Sequence, residues 1–244
     1  MKKSSEIKEN TFLKGIVDGI PICLGYFSVA FAFGIFTVSN GLTSLEALLI
    51  SMTNVTSAGQ LAAVPIIVSG GTLFELAASQ FVINLRYALM SITLSQKLDE
   101  SISLFDRLII AFVNTDEVFA VASSKNEVGK KYMFGLILTP WLGWSAGTIV
   151  GAVAGNILPP LLISALGVAI YGMFIAIVIP PAKEDKHVLF CVIIAIILSC
   201  IFRFVPLLSK IQSGFVIIIC GVLASALAAA LFPIEAEKEE QNEI

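Results

Sequence analysis

The chain has 244 residues, 57% of them hydrophobic and 14% charged, with a mean hydropathy of +0.93. Soluble domains carry about a quarter charged residues, so this is the composition of an integral membrane protein, in which about eight spans of about 20 residues leave only short loops and tails. No soluble nucleotide-binding or catalytic domain fits, and the net charge of −3 comes largely from Glu235, Glu237, Glu239, Glu240 and Glu243 near the C-terminus, a solvated tail that gives no sign of a nucleic-acid partner.

Apolar runs fall at about 15 to 39, 45 to 69, 72 to 96, 108 to 123, 132 to 157, 160 to 180, 188 to 208 and 211 to 232. They lack period-2 alternation and read as helices, whose backbone polar groups are satisfied inside lipid. The expected fold is an all-α integral membrane protein. Residues 1–14 form an N-terminal tail, 15–232 a single transmembrane domain, and 233–244 an acidic C-terminal tail. The domain is a bundle of about eight transmembrane helices, or seven if residues 108–123 are re-entrant, with discontinuous helices near the midplane. If all eight runs cross, ten Lys and Arg lie on the side of the termini and four (Lys97, Arg107, Arg203, Lys210) on the other, which places both termini in the cytoplasm.

Run one has no small-x-small exit site and reads as a span rather than a cleaved signal. Gly19-Ile20-Pro21 interrupts it, and Asp18 sits one turn after Lys14 as a solvated ion pair. Run two opens on Thr43-Ser44-Leu45-Glu46, a capping box, and is interrupted between Asn54 and Pro65. Unwound backbone at membrane depth lines cavities, and half-helix N-termini hold anionic groups, so Ser57, Gly59 and Gln60 are candidate substrate contacts. A simple kink is the alternative. Run three opens on a second box, Thr72 to Glu75, and carries Arg86 14 residues after Thr72 and 11 before Lys97, near the bilayer centre. Insertion scales charge at least ~2.5 kcal/mol for Arg at that depth, so Arg86 requires a partner. It is either a fork for the carboxylate of a small substrate or half of a permanent ion pair with Asp116 or Glu117.

Run four is short and carries Asp116 and Glu117 near its centre. Adjacent helical residues point about 100° apart. One acid can therefore neutralise Arg86 while the other, desolvated, exchanges a proton. If the run is re-entrant, both acids are instead solvated near one surface. Run five contains Pro140, the buried-depth tryptophans Trp141 and Trp144, and the ladder Gly143, Gly147, Gly151, Gly155. The ladder packs a helix within the protein or docks a second membrane subunit. The four cysteines lie inside apolar runs and read as small hydrophobes, and the lone His187 excludes zinc and triad chemistry built on histidine. No metal, cofactor or enzyme activity is expected.

Several stretches resemble the AzlC-type branched-chain amino-acid permeases, also described as azaleucine-resistance proteins. They are Gly19 to Tyr26, Ala30 to Gly34, Ser57-Ala58-Gly59-Gln60, Asn84-Leu85-Arg86-Tyr87, Leu89-Met90-Ser91, Thr115 to Ala120 and Met173-Phe174-Ile175. The resemblance implies the large subunit of a two-subunit permease that exports branched-chain amino acids and sometimes methionine, paired with a small membrane subunit of the AzlD type. Its motif positions fall on Gln60, Asn84, Arg86, Asp116 and Glu117. The expectation is a secondary transporter in a bacterial plasma (inner) membrane, exporting small apolar amino acids in exchange for protons. Substrate would be held by Arg86, Asn84, Gln60, Ser57 and Gly59, coupling carried by Asp116 or Glu117, and Gly19, Pro21 and Pro65 would mark helix breaks. A non-transporting scaffold for the small subunit, or a channel, are the alternatives.

Overall fold

The computed structural model describes residues 11–99 and 101–233; the expected tails beyond those limits lie outside the described residues. The chain divides into two compact units, residues 1–173 and 174–244. The described residues are helical apart from loops and an isolated bridge between Leu98 and Val128.

In the first unit the helices are α1 (Phe12–Ser39), α2 (Ser44–Thr53), α3 (Ser57–Val68), α4 (Leu73–Ser95), α5 (Leu104–Phe112), α6 (Asp116–Ser123) and α7 (Lys130–Gly155), followed by α8 (Pro160–Glu184), which runs into the second unit. The second unit pairs α9 (Lys186–Phe204) with α10 (Ser213–Leu231), and Phe232 packs against a tilted His187 ring and edge-on against Phe190. α1, α7, α9 and α10 are long and apolar enough to cross a membrane. α4 matches them in length but carries Glu75, Gln80, Asn84 and Arg86.

α1 and α7 form the core of the first unit, and the glycine ladder is what brings them together. Gly143, Gly147, Gly151 and Gly155 meet the backbone of Cys23, Phe27, Phe31 and Ile35 in that order. The four-residue step on both helices makes the pair parallel, with backbones in direct contact as small-residue faces allow. The ladder is therefore used within the chain. It is not an open docking face for another subunit.

The expected break at Gly19 and Pro21 is corrected, because both lie inside the continuous α1, as Pro65 lies inside α3 and Pro140 inside α7. A proline removes only one backbone donor, which neighbouring helices tolerate in membrane proteins, and Gly19 instead admits Leu136 and Pro140 of α7. The real breaks are at Asn54–Thr56, between α2 and α3, and at Val113–Thr115, between α5 and α6.

These breaks also split two of the expected apolar runs, 45–69 and 108–123, into pairs of short helices. Lys130 at the start of α7 pairs with Asp106 at the start of α5 at 2.8 Å. Lys97, just after α4, donates to the carbonyls of Ser123 and Lys125 at the end of α6, and Val128 donates to the Lys97 carbonyl at 2.9 Å. The end of α4, the start of α5, the end of α6 and the start of α7 thus share one end of the bundle. With nine and eight residues, α5 and α6 reach only about 14 and 12 Å, and together form a hairpin that enters from this end and returns to it. α2 starts at the opposite end, where Asn156 beyond α7 donates to Ser44. α4 must also start there, since its 23 residues span about 34 Å and finish at the first end. The pair α2–α3 is accordingly a second hairpin, entering from the other side. Residues 45–69 and 108–123 thus each fold back as a helical hairpin, while α1, α4 and α7 run from end to end of the first unit.

Caps hold the short helices. Thr43 and Glu46 form the expected reciprocal box, Ser103 and Asp106 form another, and Thr72 accepts from the Glu75 amide while the Glu75 side chain is buried. The Lys130 ammonium and the Ser103 hydroxyl hold the Asp106 carboxyl below the usual aspartate range.

Candidate functional site

The tips of the two hairpins meet halfway along α1, α4 and α7. Tyr26 lies 14 residues into α1, Arg86 13 into α4 and Trp144 14 into α7. Each tip is a short non-helical segment in which the amides of Asn54, Asn114 and Thr115 still donate to carbonyls of the preceding residues, and the side chains of Asn54 and Asn114 take partners on α4.

The α2–α3 tip is pinned to α4. Gln80 accepts from Asn54 Nδ2 at 3.0 Å and donates to the Gly59 carbonyl at 2.9 Å, while Thr56 donates to Asn54 Oδ1. A side chain at Gly59 would collide with Thr56 and Gln80. Asn84, one turn after Gln80, donates to the same Gln80 oxygen at 3.3 Å, and its own buried Oδ1 has no donor among the described residues. Ser57 is the first residue of α3, half-buried. Gln60 is fully buried, with Nε2 donating to Ser51 at 2.8 Å and Oε1 accepting from Trp144 Nε1 at 2.9 Å; Ser51 in turn bonds Thr148 at 2.6 Å. Both polar ends of Gln60 are thus held by protein groups, making it an anchor between the first hairpin and α7.

At the α5–α6 tip Thr115 caps α6, and Asp116 and Glu117 occupy its first turn rather than the middle of a continuous run. Carboxylates are favoured there by the free amides and the helix dipole. The two acids diverge as their spacing dictates. Asp116 bonds Arg86 Nη1 at 2.8 Å, whereas Glu117 accepts a short hydrogen bond from the Tyr26 hydroxyl. The second fork nitrogen of Arg86 donates to Tyr87 Oη at 3.0 Å, and the guanidinium lies over the Tyr87 ring. Tyr26 packs edge-on against Trp144, with centroids 5.0 Å apart, so the two tips share one aromatic wall. The Arg86 and Asp116 side chains are 54% and 47% exposed within the described residues, so the pair lies on an open face of the unit and not in its core.

Asp18 lies away from this site. It pairs with Lys14 at 2.6 Å, as expected, and also accepts from Tyr132 at 2.8 Å. Sequence patterning had not singled out Tyr26, Tyr87, Gln80 or Ser51. The signal for α4 was present, since Gln80, Asn84, Tyr87, Ser91 and Ser95 repeat at helical spacing as a polar stripe on an otherwise apolar helix.

Broken half-helices whose tips meet at mid-depth, beside an Arg–Asp pair, define a polytopic membrane protein with a polar centre. Residues 21–158, which contain every residue of this centre, match the AzlC protein family, and the chain belongs to that family. Among its relatives, the inner membrane protein YgaZ of Escherichia coli is 27% identical over 230 residues, covering 90% of this chain and 91% of that protein. An uncharacterized membrane protein of Archaeoglobus fulgidus is 33% identical over 183 residues, covering 74% and 80% respectively. No solved structure matches the chain.

Proposed function

We propose that this protein is the large subunit of a two-subunit secondary transporter that exports branched-chain amino acids across a bacterial inner membrane in exchange for protons. The observation that carries the reading is the separation of the two adjacent acids, Asp116 onto Arg86 and Glu117 onto Tyr26. Asp116 keeps Arg86 electrically balanced at one fork nitrogen. The substrate carboxylate displaces Tyr87 from the other, Nη2, and is held in a planar fork by Nη2 together with Nε. Asn84, two residues before Arg86 on α4, has a buried Oδ1 with no donor among the described residues. Glu117 binds either a proton, when it is neutral beside Tyr26, or the substrate ammonium, when it is ionised. Because the two occupants exclude each other, substrate and proton move in opposite directions.

The charge distribution supports an orientation with both termini cytoplasmic. Lys97 and Arg107 belong at the same end as Lys125 and Lys130, and if α8, α9 and α10 all cross, moving them turns ten against four into twelve against two. Since α1 covers the glycine ladder, an AzlD-type small subunit would dock elsewhere on the chain.

Proteoliposomes holding the chain and its small subunit, loaded with labelled leucine, test the reading. An inward proton gradient is expected to drive leucine efflux, and efflux indifferent to the gradient would reject the mechanism. Arg86→Lys keeps the charge and removes the fork, so the leucine concentration for half-maximal efflux should rise about tenfold; an unchanged value would remove Arg86 from the carboxylate site.

A further inference from the structure

The second unit has a cavity of its own, of about 420 Å³, at the end where α9 and α10 are joined. Ser199, Phe202 and Arg203 line it from α9, and Ser213, Val216 and Ile217 line it from α10. On each helix the three positions are three and four residues apart, so each set occupies one helix face, and the two faces converge on the same space. Arg203 lies in the last turn of α9, and Ser213 is the first residue of α10. With 19 residues apiece the two helices are about 28 Å long, close to the ~30 Å of a hydrocarbon layer, which puts the cavity at the level of the lipid headgroups.

The charge at this end is unbalanced. Among the described residues the Arg203 guanidinium makes no hydrogen bond and no ion pair, and the hydroxyls of Ser199 and Ser213 make no hydrogen bond. Ser209, in the connection between the helices, also lines the cavity and donates to the Pro206 carbonyl at 3.1 Å. The surrounding sequence supplies no counter-ion, because residues 186–233 contain no Asp or Glu, while Arg203 and Lys210 both sit at this end. The cavity therefore combines a cation without an anion, open hydroxyl donors and an apolar wall.

We propose that this cavity binds the phosphate of an anionic phospholipid. Arg203 supplies a charged, planar fork suited to phosphate oxygens. Ser199 and Ser213 donate to the same group, and Phe202, Val216 and Ile217 pack against the glycerol and upper acyl carbons. The volume falls in the roughly 300–1,000 Å³ range of organic-ligand pockets, more than a bare phosphate ion fills. The lining holds no carboxylate for an ammonium group, which favours a headgroup such as phosphatidylglycerol over a zwitterionic one. Basic pockets between membrane helices hold anionic headgroups in this way. Bound there, the lipid bridges α9 to α10 across their connection. The proposal does not rest on the transport reading.

Native mass spectrometry of the full chain, delipidated in detergent and titrated with dioctanoyl phosphatidylglycerol, tests it. Saturable binding is expected, and Arg203→Gln should weaken the tightest site about tenfold, as loss of a charge-assisted hydrogen bond does. Lys210→Gln removes a neighbouring charge that does not line the cavity and should leave the affinity unchanged. Val216→Phe keeps Arg203 but fills the cavity, and it should weaken binding as Arg203→Gln does. Dioctanoyl phosphatidylcholine and inorganic phosphate should both compete poorly. Equal losses in Arg203→Gln and Lys210→Gln would reduce the interaction to diffuse charge and overturn the site. Unchanged affinity in Val216→Phe would place the lipid outside the cavity and overturn it too, as would an absence of saturable binding. Competition by inorganic phosphate as effective as by the lipid would overturn the assignment to a phospholipid, and equal competition by phosphatidylcholine would overturn the preference for an anionic headgroup.

Discussion

Glu117→Gln is expected to abolish the response of leucine efflux to a pH gradient and to raise the leucine concentration needed for the leucine-for-leucine exchange that remains, because the ammonium loses its charged partner. Glutamine has the same length, and its carbonyl oxygen still accepts from the Tyr26 hydroxyl, so the hairpin tip keeps its anchor. What it loses is the ability to be either neutral or charged. If one proton is exchanged per leucine, each pH unit supplies about 1.4 kcal/mol, a tenfold concentration ratio. Wild-type vesicles should therefore approach that ratio, and the variant should relax to equal concentrations on both sides. Retained gradient-driven efflux in the variant would move the coupling proton away from Glu117.

Gly151→Leu is expected to prevent the first unit from forming. A Cβ at this position would lie within the carbonyl of Phe31, and backbone cannot yield as a side-chain tip can. Overpacking of a well-filled core costs typically ~1–3 kcal/mol, and more where no rotamer relieves it. Because α1 and α7 also carry Tyr26 and Trp144, forcing them apart removes the wall that both hairpin tips share. Gly25, on the outer side of α1, has open space around its Cβ position, so Gly25→Leu should leave thermal stability unchanged. Monodisperse elution and equal melting temperatures for both variants would contradict the parallel α1–α7 packing.

The parts of this architecture that local chemistry decides were readable in the sequence. Thr43, Thr72 and the glycine ladder each state a helix start or a close approach within a few residues, and the pairing of Lys14 with Asp18 follows from one helical turn. The divergence of Asp116 and Glu117 was likewise legible from their adjacency. Proline was the misleading signal, since Pro21 and Pro65 sit in unbroken helices while the break at 113–115 contains no proline at all. Thr115 followed by two acids is an N-cap signature, and it marked that second half-helix more truly than hydropathy did. The hairpin at 45–69 was not legible, because an apolar run of about 25 residues has the same composition whether it runs straight through or turns back halfway, whereas the shortness of the run at 108–123 did raise that alternative. Only contacts distant in sequence, Lys97 with Ser123, Lys130 with Asp106 and Asn156 with Ser44, decide between the two.

The central claim, that Glu117 takes a proton or a substrate but never both, is tested most directly by letting leucine do the driving. Sealed vesicles containing the chain, its small subunit and a trapped pH indicator, with equal pH on both sides, are given an outward leucine gradient. Leucine leaving the lumen should draw protons in, so the lumen should acidify, and the signal should vanish in Glu117→Gln. Leucine efflux with no change in lumenal pH, or with alkalinisation, would contradict the account.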